Sequence, residues 1–256
     1  MTTGNIETED QCRAEVYESL KNWRIDNVVS NRVEESAAAW SVEREREPQF
    51  IKRDNVNTIS IPAPEWVKGS PTHVTVTGNQ LENMSADAGK RLLRMIGENA
   101  AFQEHGIIVA ALAREGTQIS AKKFSEVEIV SAIQKLHAAP VGIVILMSLP
   151  TKADLTLSGK LVPEWETKPK EVESKWFAGN LFGYDAYWSP KVEDDNCFVL
   201  TRDSVGIRRS QLNVTFDGFQ KTSLGTRFDS VELYEDMLCW CINPRNVLFL
   251  KLSYFG

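Results

Sequence analysis

One stretch near the middle of the chain, from Ser85 to Gly116, limits the possible folds more than any other, because its pattern predicts one long helix. Ser85 can cap this helix, Asp87 places negative charge in its first turn, and Gly116 can close its other end. Gly97 and Gly106 each cost about 1 kcal/mol of helix propensity relative to alanine, so packing must stabilise the helix. Its expected apolar face carries Leu92, Met95, Ile96, Phe102, Ile108, Ala111 and Leu112.

Composition narrows the class of protein. The 256 residues, 42% hydrophobic and 25% charged, suffice for one large or two modest globular domains. A net charge of -6 argues against a protein that grips nucleic acid through a basic surface, but it allows one that encloses nucleic acid. The first ten residues are polar, and the longest apolar run, Val141 to Leu149, has only the length of a strand. We therefore expect a soluble chain, made in a cytoplasm, with no membrane partner.

Upstream of the long helix, the sequence predicts segments that reach away from a core. A helix is expected from Gln11 to Asn22, and residues Arg24 to Ser41 are expected to continue it. Glu43 to Glu47 alternates in sign and fits either a solvated loop or an extended strand that pairs with two neighbours. Asn57 to Ile61 and Thr72 to Thr77 read as two strands of a hairpin. Because an isolated hairpin is marginal in water, it must lie on its own core or on another subunit.

Downstream of the long helix, the pattern predicts a mixed domain. Ser125 and Glu128 form a capping box that opens a short helix, and Gly142 to Leu149 reads as a strand buried on both faces. The expected later strands are Tyr184 to Trp188, Cys197 to Leu200, Ser204 to Arg209, Leu212 to Phe216, Ser230 to Ile242 and Asn246 to Leu252.

The sequence holds no common catalytic signature for nucleotide binding, metalloprotease or hydrolase chemistry. Its three histidines stand apart from any partner at ligand spacing, and Asp194-Asp195-Asn196 fits a turn better than a calcium loop. The four cysteines fit reduced core residues better than a zinc site. We therefore expect no catalytic residue, no cofactor and no metal.

Three segments of the C-terminal half resemble a known family in sequence and in order. They are residues 176–190, which end Tyr187-Trp188-Ser189-Pro190, residues 198–207, and residues 232–252 with their Asn243-Pro244-Arg245 turn. The chain resembles the major capsid proteins of tailed phages and related viruses, the Hong Kong 97-like family. It departs from the family pattern at Asp185 and Ala186, where Pro-Val is frequent.

The resemblance implies an α+β fold with an N-terminal arm, an extended β-hairpin loop, a peripheral domain with a long spine helix, and an axial domain with a mixed central sheet. The implied bounds are 1–41 for the arm, 42–84 for the extended loop and a peripheral strand, 85–116 for the spine helix, 117–229 for the axial domain, 230–243 for a peripheral return strand, and 244–256 for the axial closing strand.

The same resemblance implies a function without catalysis. Copies of the chain would assemble as pentamers and hexamers into an icosahedral-type shell around double-stranded DNA, in a virion assembled in the host cytoplasm. Portal and scaffold proteins, and in some systems a decoration protein, would be further partners. The expected contacts between subunits are Trp23, Trp40, Arg44, Arg46, Ile59, Ile61, Trp66, Val74 and Val76.

Two alternatives remain open at this stage. One is an encapsulin-like nanocompartment of the same fold that holds protein cargo. The other is a soluble enzyme or binding domain whose site is assembled from scattered residues.

Overall fold

The structure is a computed structural model that describes residues 8–36, 73–74, 86–121, 125–136, 142–163, 175–194, 196–222, 225–235 and 237–252. Its helices are α1 (Glu9–Trp23), α2 (Asp26–Val29), α3 (Ala86–Glu115), α4 (Glu126–Lys135) and α5 (Leu149–Leu157). None of these described helices is both long and apolar enough to cross a membrane.

Within the described residues, the strands fall into three sheets and a small hairpin. In chain order they are β1 (Arg32–Ser36), β2 (His73–Val74), β3 (Thr117–Ala121), β4 (Ile143–Met147), β5 (Leu161–Pro163), β6 (Phe177–Leu181), β7 (Tyr184–Trp188), β8 (Asn196–Thr201), β9 (Val205–Ser210), β10 (Asn213–Asp217), β11 (Gln220–Thr222), β12 (Gly225–Arg227), β13 (Ser230–Tyr234), β14 (Met237–Cys241) and β15 (Val247–Leu252).

The largest sheet is mixed and has seven strands in the order β3-β15-β8-β4-β7-β6-β5. Strand β4 lies at its centre, antiparallel to β8 and parallel to β7. Val144 and Leu146 face one hydrophobic cluster, and Ile143, Ile145 and Met147 face another. This alternation buries both faces of the sheet, which confirms the prediction made from the continuous apolar run.

Strands β9 to β14 lie outside the large sheet. Strand β9 lies between β1, which is parallel to it, and β14, which is antiparallel, whereas β10 and β2 flank β13. The pairing thus joins residues 205–217 to strands from the N-terminal and C-terminal parts of the chain. The domain bounds expected from the sequence stay a prediction.

Helix α3 confirms the expected long helix, and α1 packs across it at Gly97. A Cβ atom at Gly97 would lie 2.5 Å from the carbonyl oxygen of Val16 and 2.7 Å from the amide nitrogen of Leu20. Ser19 adds a hydrogen bond of 2.7 Å from its hydroxyl to the carbonyl of Arg94, whose guanidinium also pairs with Glu15. Gly97 therefore permits a contact between helix backbones that any side chain there would prevent.

The close crossing with α1 also corrects the expected apolar face of α3. Leu93, which the sequence analysis omitted, is buried, whereas Met95 is 55% exposed. The buried face turns toward α1 around Gly97, and Met95 lies away from that contact.

The segment after α1 is not the expected helical continuation. Arg24 has extended backbone angles, α2 lasts four residues, and β1 then pairs with β9. The hydroxyl of Ser30 donates a hydrogen bond of 2.6 Å to the carbonyl of Val205, which fixes the start of that pairing. Sheet pairing between residues far apart in sequence here overrides local helix propensity.

The expectation that residues 11–40 reach beyond their own core is wrong for the part that the structure describes. The apolar face of α1, with Cys12, Val16 and Leu20, is buried against α3 and the β10–β13 strands, and Val28 and Val29 join the main core. Residues 37–40 lie outside the described residues.

The expected single strand from Ser230 to Ile242 is instead two strands in two different sheets. Strand β13 pairs with β10, and β14 pairs with β9. The chain changes sheets at Glu235, whose carboxylate binds the Arg24 guanidinium at 2.6 Å. The C-terminal prediction is confirmed, with a short turn of helix at Pro244–Asn246 before β15.

We predict that Gly97→Ala destabilises the protein although alanine favours helix, because its methyl group would push the α1 backbone away. Gly106→Ala is the matched control, since a Cβ atom there meets nothing within 4 Å. The control should raise the free energy of unfolding by up to about 1 kcal/mol, and Gly97→Ala should lower it by about 1–3 kcal/mol in urea titrations. Equal stabilisation by both substitutions would contradict the close crossing.

Candidate functional site

Five charged side chains from distant parts of the sequence meet beneath the end of α1, and we call them the ionic junction. Arg24 follows α1, Asp26 begins α2, Glu104 lies on α3, Arg209 lies on β9, and Glu235 lies between β13 and β14. Each side chain is at most 8% exposed. Charges with so little access to water must be paired to be tolerated.

The distances show how the junction is paired. The Arg24 guanidinium donates to Glu104 through Nε, 3.1 Å from Oε2, and to Glu235 through Nη2, 2.6 and 2.8 Å from its two oxygens. Arg209 donates through Nη1 to Asp26 at 2.5 Å and through Nη2 to Glu104 at 2.9 Å. Glu104 Oε2 therefore accepts from both guanidiniums, which places Glu104 at the centre of the junction.

The electrostatics follow from this arrangement. Burial alone would raise the pKa of Glu104, but Arg209 and Arg24 outweigh burial and hold it below its usual value. Burial would likewise lower the pKa of Arg24, but the negative charges of Glu104 and Glu235 outweigh burial and raise it. Burial, followed by the charge of Glu104, raises the pKa of Glu235 to about 8. The junction thus lowers the pKa of one buried glutamate, Glu104, and raises the pKa of another, Glu235.

Aromatic side chains surround the other side of Trp23. Its ring makes edge contacts with Phe102 and Trp176, at centroid distances of 5.7 and 5.4 Å, and the Lys175 ammonium lies 3.9 Å from its centroid. The Trp23 carbonyl accepts hydrogen bonds from His105 Nε2 and from Trp176 Nε1, both at 2.9 Å. The C-terminal end of α1 is therefore held to the core through its last carbonyl group and its ring.

His105 has a structural role in this contact. Its Nε2 faces a carbonyl, which can only accept, so Nε2 carries the proton and Nδ1 accepts from the Ser189 hydroxyl, 3.3 Å away. Burial lowers the pKa of His105 to about 4. Because this pKa lies below that of an unfolded histidine, the stability from neutral His105 is full above about pH 6.5 and is lost as the pH falls through 4.

The sequence analysis missed the ionic junction, although the residues carry a signal. Glu104 stands four residues from both Ala100 and Ile108 on the buried face of α3, and Arg209 continues the inward alternation of Val205 and Ile207 in β9. A charge at an otherwise apolar position predicts a buried partner. Its hydrogen-bonded partners could not be identified from the sequence, because they lie 80 or more positions away in the chain.

The structure describes two of the nine expected contact residues. Trp23 is half-buried by groups of its own chain, and Val74 lies in β2, opposite Val231 of β13. The other seven lie outside the described residues: Trp40, Arg44, Arg46, Ile59, Ile61, Trp66 and Val76. The assignment of these nine side chains to subunit contacts stays a prediction.

Cysteine chemistry offers no reactive site. All four cysteines are buried thiols. Burial raises the pKa of Cys197 and Cys239 well above the usual value and that of Cys241 to about 12, so these thiols stay protonated. Among the described residues, no group of three or more His, Cys, Asp or Glu side chains is arranged to hold a metal ion.

Large apolar side chains are exposed on helix α5 and strand β5. Leu157 is 87% exposed, and Leu149 on the same helix and Val162 on β5 are also exposed. We call these three residues the α5–β5 surface. Exposed apolar side chains on neighbouring elements are typical of surfaces that other molecules cover.

No family model matches the sequence, and no curated protein matches it. Solved structures do match. The chain is similar to a virus-like particle from Pyrococcus furiosus, with 11% identity, a TM-score of 0.60, and coverage of 94% of this chain and 98% of that one.

Two further matches come from different kinds of particle. The capsid of the cyanophage P-SCSP1u has 11% identity and a TM-score of 0.54, with 91% of this chain and 87% of that chain covered. The SrpI encapsulin complex from Synechococcus elongatus has 13% identity and a TM-score of 0.54, with 85% and 84% covered. The chain therefore has the Hong Kong 97-like fold of phage capsids and encapsulins, which confirms the resemblance and the fold class expected from the sequence.

We predict that Glu104→Ala destabilises the full-length chain by about 3–5 kcal/mol, because it leaves the Arg24 and Arg209 guanidiniums without their shared acceptor. Glu98→Ala, on the same helix but half-buried outside the junction, is the matched control and should change stability by only about 0.5 kcal/mol. Urea unfolding measures both. Similar small losses in the two variants would show that the junction does not stabilise the fold.

Proposed function

We propose that this chain is the major capsid protein of a tailed phage or related virus, and that its copies assemble as pentamers and hexamers into a closed, icosahedral-type shell around double-stranded DNA. The observation that carries the proposal is the match of almost the whole chain, over its full fold, to subunits of shell-forming particles. In this reading the shell itself is the activity, and the chain performs no catalysis.

The net charge of the chain supports the proposal that its shell encloses DNA. With a net charge of -6, the protein lacks the basic excess that would bind packaged DNA tightly and oppose its release. We propose that DNA is enclosed without sequence-specific contacts. Portal, scaffold and decoration proteins are the further partners proposed, with assembly in the host cytoplasm and the mature protein in the virion.

A second candidate is the shell of an encapsulin-like compartment that holds protein. The match to an encapsulin complex, with the same TM-score as the cyanophage capsid, supports this candidate. The contents of the particle separate the two candidates, because one shell would hold DNA and the other a protein.

The experiment is to purify the full-length chain from an expression host and from its native source, and to image it by negative-stain electron microscopy. Closed particles tens of nanometres across support a shell, and a monomer on a sizing column under all conditions would reject both candidates. Nuclease-resistant DNA in native particles supports the capsid, whereas a co-purifying protein inside them supports the compartment.

We predict that Leu157→Asp leaves the subunit folded but prevents closed shells, because an exposed leucine on the α5–β5 surface would be buried by another copy. Asn213→Asp is the control, since it adds the same charge at an exposed position on β10. Circular dichroism should be unchanged in both variants, and particle yield should fall at least tenfold only for Leu157→Asp. Normal shells from Leu157→Asp would remove this surface from the assembly.

We predict that deletion of residues 62–71 leaves the subunit folded yet unable to close shells, because the hairpin from Asn57 to Thr77 is proposed to overlie an adjacent copy. Replacement of the same ten residues by a glycine-serine linker tests whether Trp66 and the prolines matter beyond length. Thermal unfolding monitors the fold, and electron microscopy monitors the shells. If the deleted chain still forms normal shells, the hairpin is not an arm between subunits.

A further inference from the structure

The ionic junction contains more negative than positive groups. Arg24 and Arg209 supply two positive charges, and Asp26, Glu104 and Glu235 supply three carboxyl groups. If every group were ionised, the junction would carry one unpaired negative charge in a site whose side chains are almost wholly removed from water. Such a charge is costly, and the least costly way to remove it is to bind a proton.

The hydrogen bonds indicate which carboxyl group takes the proton. Glu104 accepts from both guanidiniums, and Asp26 accepts from Arg209 at 2.5 Å and from the Asn27 amide at 2.9 Å. Glu235 accepts only from Arg24 among the guanidiniums within hydrogen-bond distance. It is therefore the carboxyl group whose negative charge is least compensated.

Arg209 provides a second geometric sign. Its Nε is buried without a hydrogen-bond partner among the described residues, although the nearest carboxyl oxygen of Glu235 is 3.8 Å away. An ionised Glu235 would be attracted toward that donor. The gap is consistent with a neutral Glu235, whose pKa is raised first by burial and then by the charge of Glu104.

We propose that Glu235 holds a proton at neutral pH, and that this proton lets the ionic junction hold helix α1 on helix α3, so that its loss in alkaline solution loosens the N-terminal segment. Arg24 binds both Glu104 on α3 and Glu235 between β13 and β14, and so ties the end of α1 to both elements. The proposal concerns the fold of one subunit and does not require the shell.

The other groups around the junction do not supply the missing positive charge. His105 on α3 stays neutral, because burial keeps its pKa near 4. The positive charge of Lys191 lowers the pKa of His105 as well. On β14, Cys239 is a protonated thiol.

The direction of the pH dependence follows from the Glu235 pKa of about 8, which lies above that of an unfolded glutamate. The contribution of the proton to stability is full below about pH 4.3 and declines as the pH rises, until it is lost above 8. Between about pH 4.3 and 8 each pH unit should favour the loosened state by about a further factor of ten, and above 8 the effect levels off because Glu235 is then ionised in both states.

The first measurement is infrared difference spectroscopy of the full-length protein between pH 7 and pH 9.5. The carbonyl stretch of one buried protonated carboxyl group should be present at pH 7 and lost at pH 9.5. It should be absent in Glu235→Gln, whose amide imitates the protonated form, and kept in Glu232→Gln, an exposed glutamate on β13. Absence of the band from the wild type at pH 7, or its persistence in Glu235→Gln, would overturn the proposal.

The second measurement is hydrogen exchange of the α1 amides, corrected for the intrinsic rate at each pH. Between pH 7 and pH 9.5 the wild type and Glu232→Gln should lose protection by about tenfold, and Glu235→Gln by less than about threefold. Unchanged protection in the wild type, despite loss of the infrared band, would show that the proton does not hold α1. Should Glu235→Gln fail to fold, the two wild-type measurements still decide.

Discussion

The two shortest ion pairs of Arg209, with Glu104 on α3 and with Asp26 at the start of α2, connect the long helix to the sheet that contains β1 and β9. Their removal would leave charges buried without partners, which costs more than most single contacts in a domain of this size. Arg24 adds the end of α1 and the β13–β14 connection to the same centre. The N-terminal segment, the spine helix and the C-terminal strands therefore share one electrostatic anchor, and the position of each depends on the others.

Local sequence patterns predicted the elements whose buried apolar residues recur at a regular spacing. The long helix, the buried strand β4 and the last strand β15 are visible in the sequence because each keeps one spacing over its whole length. The sequence did not predict the end of the first helix at Trp23 or the break at Glu235. In both places the backbone is directed by a side chain that binds partners far away in the sequence, and periodicity carries no information about such partners.

The same distinction, between architecture and individual contacts, applies to the comparisons with solved structures. Identities of 11–13% over most of the chain show that the fold is kept while most of the aligned residues differ. A resemblance read from the order of segments could therefore identify the architecture, since that order encodes shape. It could not identify the ionic junction, nor the contacts of Trp23 with Phe102 and Trp176 of its own chain, and the expected role of Trp23 between subunits stays a prediction.

Only Gly116 separates α3 from β3, an edge strand of the seven-stranded sheet. A Cβ atom at Gly116 would lie 2.5 Å from the Leu112 carbonyl oxygen and 3.0 Å from that of Val247, so this joint is tightly enclosed. A helix of 30 residues is about 45 Å long at 1.5 Å per residue, so any rotation of α3 about this joint would displace its far end more than its near end. A tilt of about 5° at Gly116 would displace the N-terminal end of α3 by about 4 Å.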